Sequence, residues 1–192
     1  MKSYPVIFSA PMVHALLEGR KTQTRRLVTS MWANVKMRHE MGEQILLYAR
    51  ETWGRVGFPE RSVYRANLAD DYQWGSGKPS QGGFRWRPSI HMPRWASRIT
   101  LEVTDVRLQL LQAISEEDAK AEGLFPYAYS EAEAWEIWPG SGEAWRDPRD
   151  AFKSLWRKIH SYNSWAVNEE VIALTFRVHQ ENVDTFIQKN AA

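Results

Sequence analysis

A lysine and a threonine three positions apart, Lys21 and Thr24, lie inside the stretch GRKTQTRR, Gly19 to Arg26. Four of its eight residues are cationic and none is acidic. A threonine hydroxyl is a weak nucleophile unless a base lies within hydrogen-bond reach. Lysine serves as that base only when neutral. Crowding by Arg20, Arg25 and Arg26, together with partial burial, moves its pKa in the required direction. The two residues therefore suit a base–nucleophile pair. A flat strand puts positions 21 and 24 on opposite faces, so the pair requires a turn or bulge. A carboxylic acid must then exchange a proton with a leaving group. The chain has 23 acids, and local spacing does not choose among them. The competing reading is a solvated cationic turn.

Other chemistries have less to stand on. The five histidines are isolated from one another, and His39-Glu40 is not followed by a second histidine four positions on, so no zinc-site spacing is present. With no cysteine, thiolate chemistry, thiolate metal sites and disulfides are excluded, which suits a reducing cytoplasm. No metal or cofactor is expected. Gly75-Ser76-Gly77-Lys78 looks like a phosphate loop, but the first glycine is missing and Pro79 replaces the hydroxyl residue. No serine nucleophile elbow occurs. A net charge of +2 is too small to drive non-specific duplex binding, so any nucleic-acid contact must come from local clustering. No apolar run approaches a membrane span.

The elements that must carry these residues follow from pattern. Tyr4 to Ser9 reads as a short strand. A helix opens at Pro11, buries Val13, Leu16 and Leu17, and stops at Gly19. Ile45 to Ala49 reads as a buried strand running into Arg50, Glu51 and Trp53, a candidate site edge. Arg98 to Leu108 alternates as a strand with a phase slip toward Val106 and Leu108, the mark of a bulge or bend. Ser115 and Asp118 have capping-box spacing for a short helix that carries Glu122 and stops at Gly123. Asp147-Pro148 starts a helix with Phe152, Leu155, Trp156 and Ile159 on one face. Ile172, Leu174, Phe176 and Val178 alternate as a core strand. A single domain over 1–180 is expected, with a polar tail over 181–192. Two loop-rich insertions, about 54–97 and 125–147, interrupt it. The first holds seven basic residues against three acids between Gly54 and Trp95, interleaved with Trp53, Trp74, Trp86 and Trp95. That mixture suits stacking on bases of RNA or single-stranded DNA. The irregular strand spacing points to α+β architecture, a small mixed or barrel-like sheet with flanking helices.

The pattern Gly19-x-Lys21-x-x-Thr24-x-Arg26 resembles the signature of the ASCH domain, a branch of the PUA-like β-barrel superfamily. The segments Gly42 to Leu47, Ile99 to Thr104, Leu110 to Gly123 and Val171 to Val178 are similar to that family too. The longer form, with Tyr48 to Trp53 and Pro88 to Trp95, resembles phage and prophage-encoded members. The resemblance implies a PUA-like mixed β-barrel. It also implies, as in small bacterial members, a metal-independent amidohydrolase that removes the acyl group from N4-acetylcytidine and related N4-acylated cytosine nucleosides. The implied catalytic set is Lys21, Thr24 and Glu122, with Glu116 and Glu117 as neighbouring alternatives for the acid. Lys21 takes the Thr24 proton, and Glu122 protonates the departing amine. In the reverse division Glu122 activates water and Lys21 stabilises charge. Arg26 is a candidate oxyanion donor, and Arg50, Glu51 and Trp53 are candidate substrate contacts. The alternative expectation is an RNA or single-stranded nucleic-acid binding module, with or without nuclease activity.

Overall fold

A computed structural model describes residues 1–56, 61–67, 85–127 and 133–191. The first half of the chain forms β1 (Lys2–Ile7), α1 (Ala10–Leu17), β2 (Gln23–Leu27), α2 (Ser30–Glu40), β3 (Ile45–Arg50), β4 (Trp53–Val56) and β5 (Arg61–Tyr64). The second half forms β6 (Thr100–Leu110), α3 (Glu116–Ala121), β7 (Phe125–Pro126), β8 (Trp135–Glu136), β9 (Ala144–Trp145), α4 (Pro148–Ile159), α5 (Ser164–Val167), β10 (Glu170–His179) and α6 (Val183–Asn190). The architecture is α+β. Five strands form one sheet in the order β1-β3-β6-β10-β2, and the described strands add a β4-β5 pair and a small β7-β8-β9 sheet. Among the described residues this order is open, with β1 and β2 at its ends, and no closed barrel is formed.

Local signals account for most boundaries. Ser115 Oγ accepts from the Asp118 backbone N–H at 3.1 Å, so the expected cap starts α3. Asp147 caps α4 by accepting from the Arg149 N–H at 2.8 Å, with Pro148 in the first turn. Phe152, Leu155 and Trp156 form the buried face of α4, while Ile159 is exposed. Along β6, Leu101 and Val103 are buried, then Val106, which is the expected phase slip; Leu108 is exposed. β10 buries Val171, Ile172, Ala173 and Leu174 in succession, so both of its faces are covered there.

Several elements were not read from the sequence, among them α2, α5 and α6. α2 was not expected; Thr29 caps it, and only Trp32 and Val35 are buried along its length, too sparse an apolar stripe to reveal it. The expected polar tail instead contains α6, which Asn182 caps and which buries Val183 and Phe186, with Ile187 beside them, against Leu46 and Tyr48. Three apolar residues among eight suffice when their i, i+3, i+4 spacing puts them on one face.

The chain divides into two compact units, each assembled from separate stretches. One comprises Met1–His14, Leu46–Leu101 and His179–Ala192; the other comprises Ala15–Ile45 and Glu102–Val178. The first expected insertion lies in the former and contains the antiparallel β4-β5 pair, with Trp53 opposite Tyr64. Its Gly75 to Lys78 segment and Trp74 lie outside the described residues. The second insertion lies in the latter unit and forms β7 to β9.

Phe152 packs beneath the Arg25 guanidinium, 5.7 Å from ring centre to carbon. Phe152→Ala is expected to lower unfolding free energy by about 3–5 kcal/mol, the usual cost of a large core truncation, read from urea denaturation.

Candidate functional site

Gly19, at φ +76°, ends α1 in a conformation that suits glycine. The chain then runs extended. The Lys21 N–H donates to Ala15 O at 2.9 Å, and Lys21 forms an antiparallel bridge with Glu122. The Thr22 N–H donates to Ala121 O and its carbonyl accepts from the Phe176 N–H, both at 2.9 Å. β2 continues antiparallel to β10, with Thr24 opposite Leu174 and Arg26 opposite Ile172. The cationic stretch is therefore threaded between the end of α3 and a core strand. It is not a solvated turn.

This threading buries charge. Lys21 is 1% exposed and Glu122 3%, and they meet although 101 residues apart. Lys21 Nζ donates to Glu122 Oε2 at 2.8 Å and to the Glu122 carbonyl at 2.6 Å. Arg25 donates to the other carboxylate oxygen, Oε1, at 3.1 Å, to Asp118 Oδ2 at 2.7 Å and to Gln23 Oε1 at 2.8 Å. Gln23 in turn donates to Asp118 Oδ1 at 2.8 Å, and Arg107 reaches Asp118 Oδ2 at 3.1 Å. Desolvating these ions is expensive, and charge-assisted hydrogen bonds offset that cost only while every partner is present.

The protonation equilibria reflect the same balance. Burial pushes the Lys21 ammonium down; Glu122 pulls it back, Arg26 and Arg25 push it further, and the result lies below the ordinary lysine value. Burial also lowers Arg26, opposed by Glu122. Burial raises the Asp118 carboxyl, but the Gln23 amide and the Arg25 and Arg107 guanidiniums outweigh it and hold the group below its ordinary value.

The site residues expected from sequence fall into two sets. Lys21 and Glu122 come together as a pair. The neighbouring acids Glu116 and Glu117 are exposed, and Glu116 lies 3.7 Å from Arg149. Thr24 is 3% exposed, one strand position from both Gln23 and Arg25. Gln23 and Arg25 share the face of β2 that meets Glu122 and Asp118, so strand alternation assigns Thr24 to the other face; the Arg26 charge still acts on both Lys21 and Glu122. Lys21 itself stands two residues before β2, in the isolated bridge to Glu122.

Arg50, Glu51 and Trp53 belong to the other unit and have partners there. Arg50 donates to Met92 O at 2.8 Å and also to Ile90 O. Glu51 is buried and accepts from Arg98 at 2.9 Å. Trp53 is 1% exposed, packed with Met92 and Ala96. Sequence reading missed the roles of Arg25, Gln23 and Asp118. Arg25 registered only as a crowding cation and Asp118 only as a cap partner. Among the described residues no group of three His, Asp or Glu side chains is placed to hold a metal ion.

The arrangement can move a proton between an amine and a carboxylate, and it can present a cation and an acceptor to one reacting group. Its geometry depends on Gly123, whose φ is +97°. A Cβ there would lie 2.9 Å from the Cβ atoms of both Ala15 and Lys21. Gly123→Ala is expected to cost the roughly 1–3 kcal/mol of an unfavourable backbone region plus a clash that displaces Lys21. Gly19→Ala, where a Cβ would meet open space, should show the backbone cost alone. Urea midpoints of the two variants separate the contributions. Compared with known proteins, the chain matches no family model, no curated protein and no solved structure.

Proposed function

We propose that this protein is a metal-independent amidohydrolase of the ASCH type, acting on an N4-acylated cytosine nucleoside such as N4-acetylcytidine. The observation that carries the reading is the buried Lys21–Glu122 pair at 2.8 Å. What else supports it is the signature spacing Gly19 to Arg26 feeding β2, a carboxylate delivered by α3 after the long β6, and a closing β10 beside β2. The PUA-like kinship is part of the same proposal.

Of the two divisions of labour, the face alternation favours attack by water. Glu122 takes a proton from water as the water oxygen bonds to the acyl carbon. Its oxygens accept from Lys21 and Arg25, and a carboxylate oxygen has lone pairs to spare. The Lys21 ammonium offsets the charge of the tetrahedral oxyanion. Glu122 passes the proton to the N4 nitrogen, the C–N bond breaks, and the products are the free cytosine amine and a carboxylic acid. In the other division, neutral Lys21 takes the Thr24 proton and an acyl-threonine forms, then is hydrolysed.

Cytidine release from N4-acetylcytidine tests the reading. Lys21→Ala and Glu122→Ala should each lose at least about a hundredfold in kcat/KM, within the usual worth of acid–base groups. Thr24→Ala should lose about as much only if threonine is the nucleophile. The pH profile carries the same distinction with opposite sign. An ammonium that stabilises charge makes the rate fall as pH rises through the Lys21 pKa, below 10.5; a lysine base makes it rise. Wild-type protein with no turnover of any N4-acylated cytosine removes the proposal.

A second reading rests on the other unit. Trp95 is 57% exposed and carries the Arg55 guanidinium 5.5 Å from its ring centre. An exposed indole beside an arginine is a stacking surface for an unpaired base. If this unit binds single-stranded RNA or DNA, Trp95→Ala should weaken oligonucleotide binding about fivefold or more, the low end of the worth of one stacked base. The wild-type affinity should also fall steeply with salt, as measured by fluorescence anisotropy.

A further inference from the structure

We infer that Arg25 is a positioning residue that aims the Glu122 carboxylate, and that Asp118 holds Arg25 for that task. The inference rests on the proposed role of Glu122. A carboxylate at the end of a short helix can rotate about its side-chain bonds unless both oxygens are held. Here they are divided: Lys21 takes Oε2 at 2.8 Å and Arg25 takes Oε1 at 3.1 Å. The two cations come from positions 21 and 25 of one extended stretch, so backbone geometry sets their separation and fixes the carboxylate between them.

Arg25 is fixed in its turn. One nitrogen bonds Glu122 and Gln23, the other bonds Asp118 at 2.7 Å, and its side chain is fully buried. Asp118 stands four residues before Glu122, one helical turn back, so both acids present to the same face of α3. Gln23 from β2 and Arg107 from β6 complete the hold on Asp118. The arginine fork suits two acids one turn apart; a lysine ammonium would bond either without fixing a plane. Arg25 Nε is buried with no hydrogen-bond partner among the described residues. A buried donor left unpaired in this way is destabilising. The side chain is thus placed for the two acids at the expense of its own satisfaction.

The test compares wild type with Arg25→Gln, Arg25→Lys and Asp118→Asn by crystal structure and by kinetics on N4-acetylcytidine. Arg25→Gln should turn the Glu122 carboxylate off its Lys21-facing orientation. It should lower kcat about tenfold or more with KM within about twofold, the signature of a lost transition-state interaction. Arg25→Lys should recover part of that loss, and Asp118→Asn should show a smaller loss of the same kind. A Glu122 carboxylate that keeps its place in Arg25→Gln, with kcat unchanged and only the melting temperature lowered, overturns the inference. Should Arg25→Gln not fold, the other two variants carry the same comparison. If wild type proves inactive on N4-acylated cytosines, the proposed function fails alone. The orientation of Glu122 in the variants still decides the role of Arg25.

Discussion

A lysine ammonium held at 1% exposure is the constraint on which this unit is built. Such a group is sustained only by a carboxylate within hydrogen-bond reach, and removal of either partner from a buried pair typically costs about 3–5 kcal/mol. Several local features bring Glu122 to Lys21. α1 stops at Gly19, so the chain turns into an extended run. The Ser115 cap sets where α3 begins and hence where it ends. Gly123 takes a backbone conformation that allows Lys21 and Ala15 to approach. The antiparallel register of β2 with β10 then holds the whole cationic stretch in place.

Once the pair is buried, its charges cannot be treated singly. Glu122 is shared between Lys21 and Arg25, and Arg25 between Glu122 and Asp118, so these four side chains and Gln23 form one connected network across β2 and α3. Both carboxylates and the Lys21 ammonium of this network are bonded, Arg25 Nε is not, and bonded buried groups of this kind are held rigidly. Rigidity of this kind also suits catalysis, since a reacting group is useful only when already aimed. The downward push on Lys21 is the electrostatic side of the same arrangement: desolvation and two flanking guanidiniums oppose its charge, and one carboxylate sustains it.

The other unit adds ring stacking to ion pairing. Arg98 pairs with Glu51 and lies over Tyr64 at 4.0 Å, Arg87 lies over Trp53 at 5.1 Å, and Arg50 bonds main-chain carbonyls. Much of the arginine–tryptophan interleaving is thus internal packing, with Trp53 in the core and Trp95 at the surface. Arginine stacked on an indole contributes to stability whether or not a ligand is ever bound.

What depends on near neighbours was legible in the chain before it folded. The caps at Ser115 and Asp147, the apolar stripe of α4, the phase slip in β6 and the stop at Gly19 are set by residues within one or two turns of each other, and each lies where local physics puts it. The sequence also marked Lys21 as a lysine among cations. Glu122 was the acid the resemblance implied, with Glu116 and Glu117 as alternatives; the docking of α3 on the extended run brings Glu122 to Lys21 and leaves the other two exposed. Tertiary structure alone decided that the cationic stretch runs between α3 and β10, through the bonds of Thr22 to Ala121 and Phe176. It decided that Arg25 is a bridge and Trp53 a core residue, and that Val183, Phe186 and Ile187 suffice to dock α6. Each of these depends on contacts between residues far apart in the chain. No local pattern records such contacts, because sheet order and helix docking set them.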